Sequence, residues 1–366
     1  MNAADPDTTE RPGADLASKA ARVLVTLAIA LVGALACVAL RAPLPWLIGP
    51  LVAVALVSML RGGLAAPPAA RQLGQWAIGV ALGLYFSPDV MREVVRLAPW
   101  LAVAVLFAIV LGAGGAWLLR RTTDSDPTTS FFAMAIGGAS EMAMQAHRHG
   151  GRVERVAAAH SLRIMLVVLV VPLTFNGLGL HGVDPYQPLA RAFEPVGFAV
   201  LVAVTLGAAA AMQRLGSPNS WMIGPLLAAA LITATGHTFS SLPTAVVNAG
   251  QLLIGISLGA HFTREFFRAA PRFLLSVAAI TGVYLLCGAA FGVLLAWGSE
   301  LPWPTAVMAT TPGGIGEMAL TAKALQLGVP IVTAFHAIRM AAVVMTAGLI
   351  YTVWNRDQRV RQPDGH

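Results

Sequence analysis

Charge is what this sequence has least of. Lys, Arg, Asp and Glu make up only 11% of 366 residues, against about 25% in an ordinary soluble domain. With 57% hydrophobic residues, that scarcity excludes a soluble globular chain and makes this an integral membrane protein. Cysteine is nearly missing. Cys37 and Cys287 each sit inside an apolar run, which excludes a disulfide framework or a zinc cluster. The alternating short segments of a membrane barrel are absent too, so the spans are helices. The formal charge of +7 would suggest nucleic acid in a soluble protein. Here the arginines lie in loops between apolar runs, where they set orientation in the bilayer, and no nucleic-acid partner is expected.

Long apolar runs are abundant. They recur from Leu24 to Trp354, close to the roughly 20 residues that a spanning helix needs. Residues 1–20 and 355–366 lack an apolar face and read as disordered tails. The first run, residues 23–40, resembles a signal peptide. It is read as a retained helix because the second half of the chain carries its counterpart.

The chain repeats itself. WLIGPL at 46–51 returns as WMIGPL at 221–226, an offset of 175. GQWAIGVALG at 74–83 returns as GQLLIGISLG at 250–259, GGASEMA at 137–143 as GGIGEMA at 313–319, and HSLRIM at 160–165 as HAIRMA at 336–341, all offset by 176. Two homologous repeats follow, 21–178 and 193–354, joined by a linker loop at 179–192. Each contains six apolar segments, near 22–40, 45–60, 72–86, 98–119, 128–147 and 156–175 in the first, and near 193–213, 219–235, 244–262, 272–297, 303–325 and 330–354 in the second.

The basic residues choose a topology. If all twelve segments cross, loop and tail Lys and Arg divide 11 to 11, and no orientation signal exists. If the fifth segment of each repeat dips in and returns, the division becomes 17 cytoplasmic to 5 outside, with Arg163 and Arg339 left in the membrane. Such a bias is what the positive-inside rule requires. Five crossings per repeat is odd, so the second repeat is inverted relative to the first. The expected fold is an all-α polytopic membrane protein of two homologous inverted repeats, each with five transmembrane helices and one re-entrant or broken helix. Transporters built this way bind solute near the midplane, where the repeats meet.

The re-entrant segments carry the paired glycines. Gly137 with Gly138, and Gly313 with Gly314, weaken a helix and bare its backbone. Irregular backbone at membrane depth is tolerated only where protein or water satisfies it, so each motif reads as a break facing a cavity, with the Ser140 hydroxyl added in the first copy. Glu141 and Glu317 are costly in hydrocarbon and admit two readings. One is a cation or proton site, since a desolvated carboxylate holds its proton more readily. The other is a buried ion pair with Arg163 or Arg339. His160 with Arg163, and His336 with Arg339, are spaced i,i+3 and share a helix face. That face either binds an anionic group through the guanidinium or neutralises the glutamates. Gln75 and Gln251 open a pattern of small residues every four positions, which predicts close helix packing. His147 and His149 have no repeat counterparts and read as loop residues.

Together PLPWLIGPL, GQWAIGVALG, GGASEMA and HSLRIM, with their second copies, resemble the AbrB family of bacterial membrane proteins, defined by the AbrB duplication, over essentially the whole chain apart from the tails. The resemblance implies a multi-pass protein of the bacterial cytoplasmic (inner) membrane with both termini cytoplasmic, distantly similar to cation/proton antiporters. Family labels include ammonia monooxygenase and regulator of gene expression. The favoured reading is a secondary transporter or exporter, not an enzyme, moving a small, anionic solute by alternating access with proton or cation coupling. The alternative is a membrane protein that regulates gene expression indirectly, and a membrane monooxygenase is least supported because the histidines have no ligand spacing. The expected partners are the lipid bilayer, a small-molecule solute and a proton or monovalent cation, with a homodimer left open. No metal or cofactor is expected.

Overall fold

The computed structural model describes residues 12–62, 64–189 and 192–361, and among them the chain is helical with no strand. Of the two tails, residues 1–11 and 362–366 lie outside the described residues.

The first repeat contributes α1 (Pro12–Ala39), α2 (Pro45–Leu60), α3 (Ala70–Gly83), α4 (Pro88–Arg96), α5 (Ala98–Thr122), α6 (Pro127–Met134), α7 (Ala139–Arg148) and α8 (Val153–Gly177). The second contributes α9 (Pro195–Arg214), α10 (Ser220–Ala234), α11 (Thr244–Gly259), α12 (Arg264–Ala269), α13 (Pro271–Ser299), α14 (Trp303–Thr310), α15 (Ile315–Leu325) and α16 (Val329–Arg361). Element matches element through both repeats. The short helices α4 and α12 fall where the sequence suggests plain loops. The reason is local: Ser87 Oγ accepts from Val90 N at 3.3 Å, and its repeat mate Thr263 Oγ1 from Phe266 N at 3.2 Å. Each hydroxyl satisfies one of the free amides at a helix start.

Among the described residues six helices, drawn from α1, α5, α8, α9, α13 and α16, are long and apolar enough to cross a membrane, which makes the chain a polytopic membrane protein. The helices α2, α10 and α11 are apolar but only 15 or 16 residues long, and α3 has 14. At 1.5 Å per residue α3 is about 21 Å long, short of the roughly 30 Å hydrocarbon core. These four bury against one another. A Cβ on Gly79 or Gly83 of α3 would lie 2.5 Å from the carbonyl oxygens of Met222 and Leu226 in α10. On Gly255 and Gly259 of α11 it would lie 2.6 and 2.7 Å from those of Leu47 and Leu51 in α2. The repeats thus grip each other reciprocally, α3 on α10 and α11 on α2, and glycine permits the approach.

Two bundles result, each drawing on both repeats. One holds α1, α2, α3, α9, α10 and α11; the other holds α5 to α8 and α13 to α16. In the second bundle α6 and α7, and likewise α14 and α15, form helical hairpins. Their outer ends meet: Arg152 N donates to Thr129 Oγ1 at 2.8 Å, and a Cβ on Gly328 would lie 2.8 Å from Thr305 Cγ2, the mate of Thr129. The chain therefore leaves each hairpin close to where it enters.

The linker is pinned as well. Asp184, 7% exposed, accepts from Val329 N at 3.0 Å through Oδ2 and from Tyr186 N at 3.0 Å through Oδ1. Its carboxylate thereby caps the start of α16. Burial raises the pKa of the neighbouring Tyr186 phenol, with Glu93 and Asp184 adding to the shift.

Candidate functional site

Between the two bundles lies a cavity of about 340 Å³. It brings together both glycine pairs, Gly137 with Gly138 and Gly313 with Gly314, as well as Ser140, Glu141, His160, Arg163, Glu317, His336 and Arg339. Every residue singled out for a binding role in the sequence reaches this one space.

The breaks have a local cause. Ala135 turns extended at ψ 136 to end α6, and Thr311 at ψ 139 to end α14, and the glycines Gly138 and Gly314 become the N-caps of α7 and α15. Each hairpin then has a helix C-terminus with unpaired carbonyls beside a helix N-terminus with unpaired amides. Glu141 and Glu317 occupy the third position of α7 and α15, in the first turn, where the positive end of the helix favours a carboxylate. Both fold back over their N-cap glycine. A Cβ on Gly138 would collide with Glu141 Oε2, and one on Gly314 with Glu317 Oε2. Any other residue there would displace the carboxylate from its folded-back position, so glycine leaves room for it, in addition to its weakness as a helix former.

The arginines take the opposite ends. Arg163 donates through Nη2 to Ala135 O at 2.9 Å, and through Nη1 to Ala133 O and Met134 O, each at 3.4 Å. Arg339 donates to Thr311 O at 2.7 Å and Gly313 O at 2.6 Å. Each also donates to its histidine, Arg163 Nη2 to His160 Nδ1 at 2.8 Å and Arg339 Nη2 to His336 Nδ1 at 2.9 Å. Since a guanidinium only donates, Nδ1 must accept and the proton sits on Nε2. There it donates to Phe132 O at 2.9 Å in the first copy and Met308 O at 3.1 Å in the second. The histidines are held neutral, and each His/Arg pair closes the C-terminus of a half-helix.

This corrects one of the two sequence readings. Among the described residues, no carboxylate lies within ion-pair distance of Arg163 or Arg339, so the glutamates are not their buried partners. The geometric reason is that carboxylate and guanidinium serve opposite helix ends of the same hairpin. Arg339 is 6% exposed, and its Nε–H has no hydrogen-bond partner.

The two glutamates differ. Glu141 Oε1 accepts from the backbone N of Asn219 at 3.0 Å, joining the first hairpin to the start of α10. Around it Arg71, Gln72, Gln75, Gln213 and Met222 complete the wall. Sequence reasoning placed Gln75 in packing and did not find Asn219 at all. The available signal was that Asn219 directly precedes the repeated WMIGPL block. Gln251, the mate of Gln75, is buried away from the cavity. His147 and His149 end α7 instead of sitting in a free loop, and the His149 ring packs 5.0 Å from that of Tyr351.

Residues 46–355 match the family described as "Transition state regulatory protein AbrB". The chain belongs to the AbrB family. Among its relatives is "Uncharacterized protein YhjN" of Bacillus subtilis (strain 168), 27% identical over 330 residues, spanning 82% of this chain and 84% of that protein. Another is "Putative regulator AbrB" of Escherichia coli (strain K12), 25% identical over 325 residues, spanning 85% and 90%. The AbrB match takes in both hairpins, both His/Arg pairs and all of the cavity wall.

Proposed function

We propose that this AbrB-family protein is a secondary transporter that moves a small anionic solute across the bacterial cytoplasmic membrane by alternating access, coupled to a proton or monovalent cation. One observation carries the reading: both hairpin breaks, two carboxylates and two guanidiniums line a single cavity between bundles that each draw on both repeats. Half-helix ends meeting at a cavity are the usual way a membrane protein holds an ion away from water. In this reading the repeats are inverted, the hairpins enter from opposite faces and both termini are cytoplasmic.

The guanidiniums hold the solute's anionic group with the N–H groups that the carbonyls leave free. Glu317 and Glu141 exchange the coupling proton or cation as the bundles part on one side and then on the other. A second reading, an indirect membrane regulator of gene expression, is supported by the name of the Escherichia coli relative. Movement of a signalling metabolite would unite the two.

The test is uptake of a radiolabelled carboxylate panel into proteoliposomes under an imposed pH gradient. Gradient-driven uptake is expected, and Glu317→Gln should abolish its proton dependence while the protein still purifies as folded. Proton-driven uptake that Glu317→Gln leaves unchanged would remove the coupling role of that carboxylate.

A further inference from the structure

The cavity reaches the protein surface along part of its wall. Its mouth is polar: Arg71, Gln72, Ser140 and Gln213 are exposed, and Asn219 and Gln75 are half-buried. Within the mouth, Arg71 corresponds to Val247, Gln75 to Gln251 and Asn219 to Leu44 in the internal repeat, whereas Gln72 answers to the half-buried Asn248 and Gln213 to the exposed Val38; in the wall behind it, Met222 corresponds to Leu47 and Ala139 to Ile315. Val247, Gln251, Leu44, Leu47 and Ile315 are all buried, and Leu44, Leu47, Val247 and Ile315 belong to one continuous apolar cluster. Ile315 also forms part of the cavity wall, as do Met222, Ile254 and Met340 of the same cluster, so the cluster abuts the cavity.

Building on the transport reading, we infer that Leu44, Leu47, Val247 and Ile315 form a closed second gate, the repeat image of the open mouth. Three observations support the assignment. Leu44 and Leu47 stand on α2 and its cap, Val247 on α11 and Ile315 on α15, so the seal spans the division between the two bundles, where parting would open it. The reciprocal glycine contacts relate mouth and seal by the same exchange that relates the repeats, α3 with α10 at one end and α11 with α2 at the other.

The third is a backbone that its side chain does not favour. Leu44 has φ 49 and ψ 53, and its mate Asn219 has φ 49 and ψ 40. Asparagine tolerates this left-handed region, whereas leucine resists it. Leucine therefore stands in an asparagine's conformation at the position where the seal needs an apolar side chain. An apolar constriction blocks solute by excluding water and opens when it is wetted.

The experiment uses the full chain with Cys37 and Cys287 replaced by Ser and a single reporter, Gln75→Cys, in the cavity wall. A membrane-impermeant maleimide is applied to right-side-out and to inverted vesicles, and the labelling rate is read from each face. The reporter should label rapidly from the Arg71 face and slowly from the other. Adding Leu44→Asn, which suits the backbone, should raise the slow-face rate tenfold or more while labelling from the mouth persists. Leu44→Gly should do the same, and the nearly isosteric Val247→Thr decides the matter if either Leu44 variant loses mouth-face labelling through misfolding. Variants that keep mouth-face labelling without any gain on the far face would make the cluster a static wall and overturn the gate. The labelling needs no solute. A gate that opens in vesicles lacking carboxylate uptake removes the transport reading alone, and uptake with unchanged far-face labelling removes the gate alone.

Discussion

Arg163 and Arg339 are buried guanidiniums whose partners are carbonyl oxygens at helix ends and a neutral imidazole. Hydrogen bonds to a charged group contribute about 1.5–3 kcal/mol each, and a buried acceptor left without a donor costs about 1–3 kcal/mol. Arg163→Met, which keeps the bulk and loses every donor, should therefore lower stability by several times that of a single bond and unfold the first hairpin first. Arg163→Lys should fall between, because a single ammonium cannot reproduce the fork. Thermal unfolding of the purified protein in detergent checks the order. Glu141→Gln should cost much less than Arg163→Met, since Gln can still accept from Asn219 N; equal losses would restore the ion-pair reading. The i,i+3 spacing of His and Arg was legible in the sequence as a shared face. Its target was not, because no local pattern says which helix end lies opposite.

At the scale of elements, glycine decides how closely the repeats can approach. Gly79→Ala and Gly259→Ala each place a methyl against a backbone oxygen that cannot yield, at 2.5 and 2.7 Å. Each should cost about 1–3 kcal/mol through overpacking. Gly207→Ala, in α9 with nothing within 4 Å of the added carbon, should be neutral or stabilise by up to about 1 kcal/mol. Midpoints of thermal unfolding for the three variants separate close packing from helix propensity. The pattern GQxxIGxxLG announced tight packing on its own, since small residues at every fourth position need a partner. That the partner is α10 for α3 and α2 for α11 depends on tertiary pairing, which single-sequence periodicity does not encode. The same limit hid α4 and α12, whose Ser87 and Thr263 caps sit in stretches too polar and short to read as segments. It hid the linker too, where Asp184 caps a helix beginning 145 positions later. Asp184→Ala should cost about 1 kcal/mol, the usual worth of a cap, measured by the same unfolding assay.

At the scale of the molecule, the repeat offset made the order of the helices legible, because it is a long-range property that survives without contacts. Among the described residues eight helices answer eight, and the two hairpins fall on the segments that carry the paired glycines. What the charges could not express is the asymmetry of the present state, since Leu44 and Asn219 occupy equivalent places and differ in side chain and in what packs against them. The proposed orientation in the bilayer rests on the charge count and is open to direct measurement. Asp124 and Arg148 flank the first hairpin, Glu300 and Gln326 flank the second, and all four side chains are exposed. With cysteine at one of these positions at a time, the first two should label from the same face, which is cytoplasmic in the proposed topology, because the base of the hairpin is closed by Arg152 and Thr129. In the proposed inverted topology the second two should label from the opposite face, because five crossings would separate the repeats. Finding Asp124→Cys and Arg148→Cys on different faces would make α6 and α7 a single crossing, and finding all four on one face would make the repeats parallel. Either result would return the charge division to the 11 to 11 of twelve crossings or leave the orientation rule unexplained, so the labelling pattern bears on the fold before any solute is known.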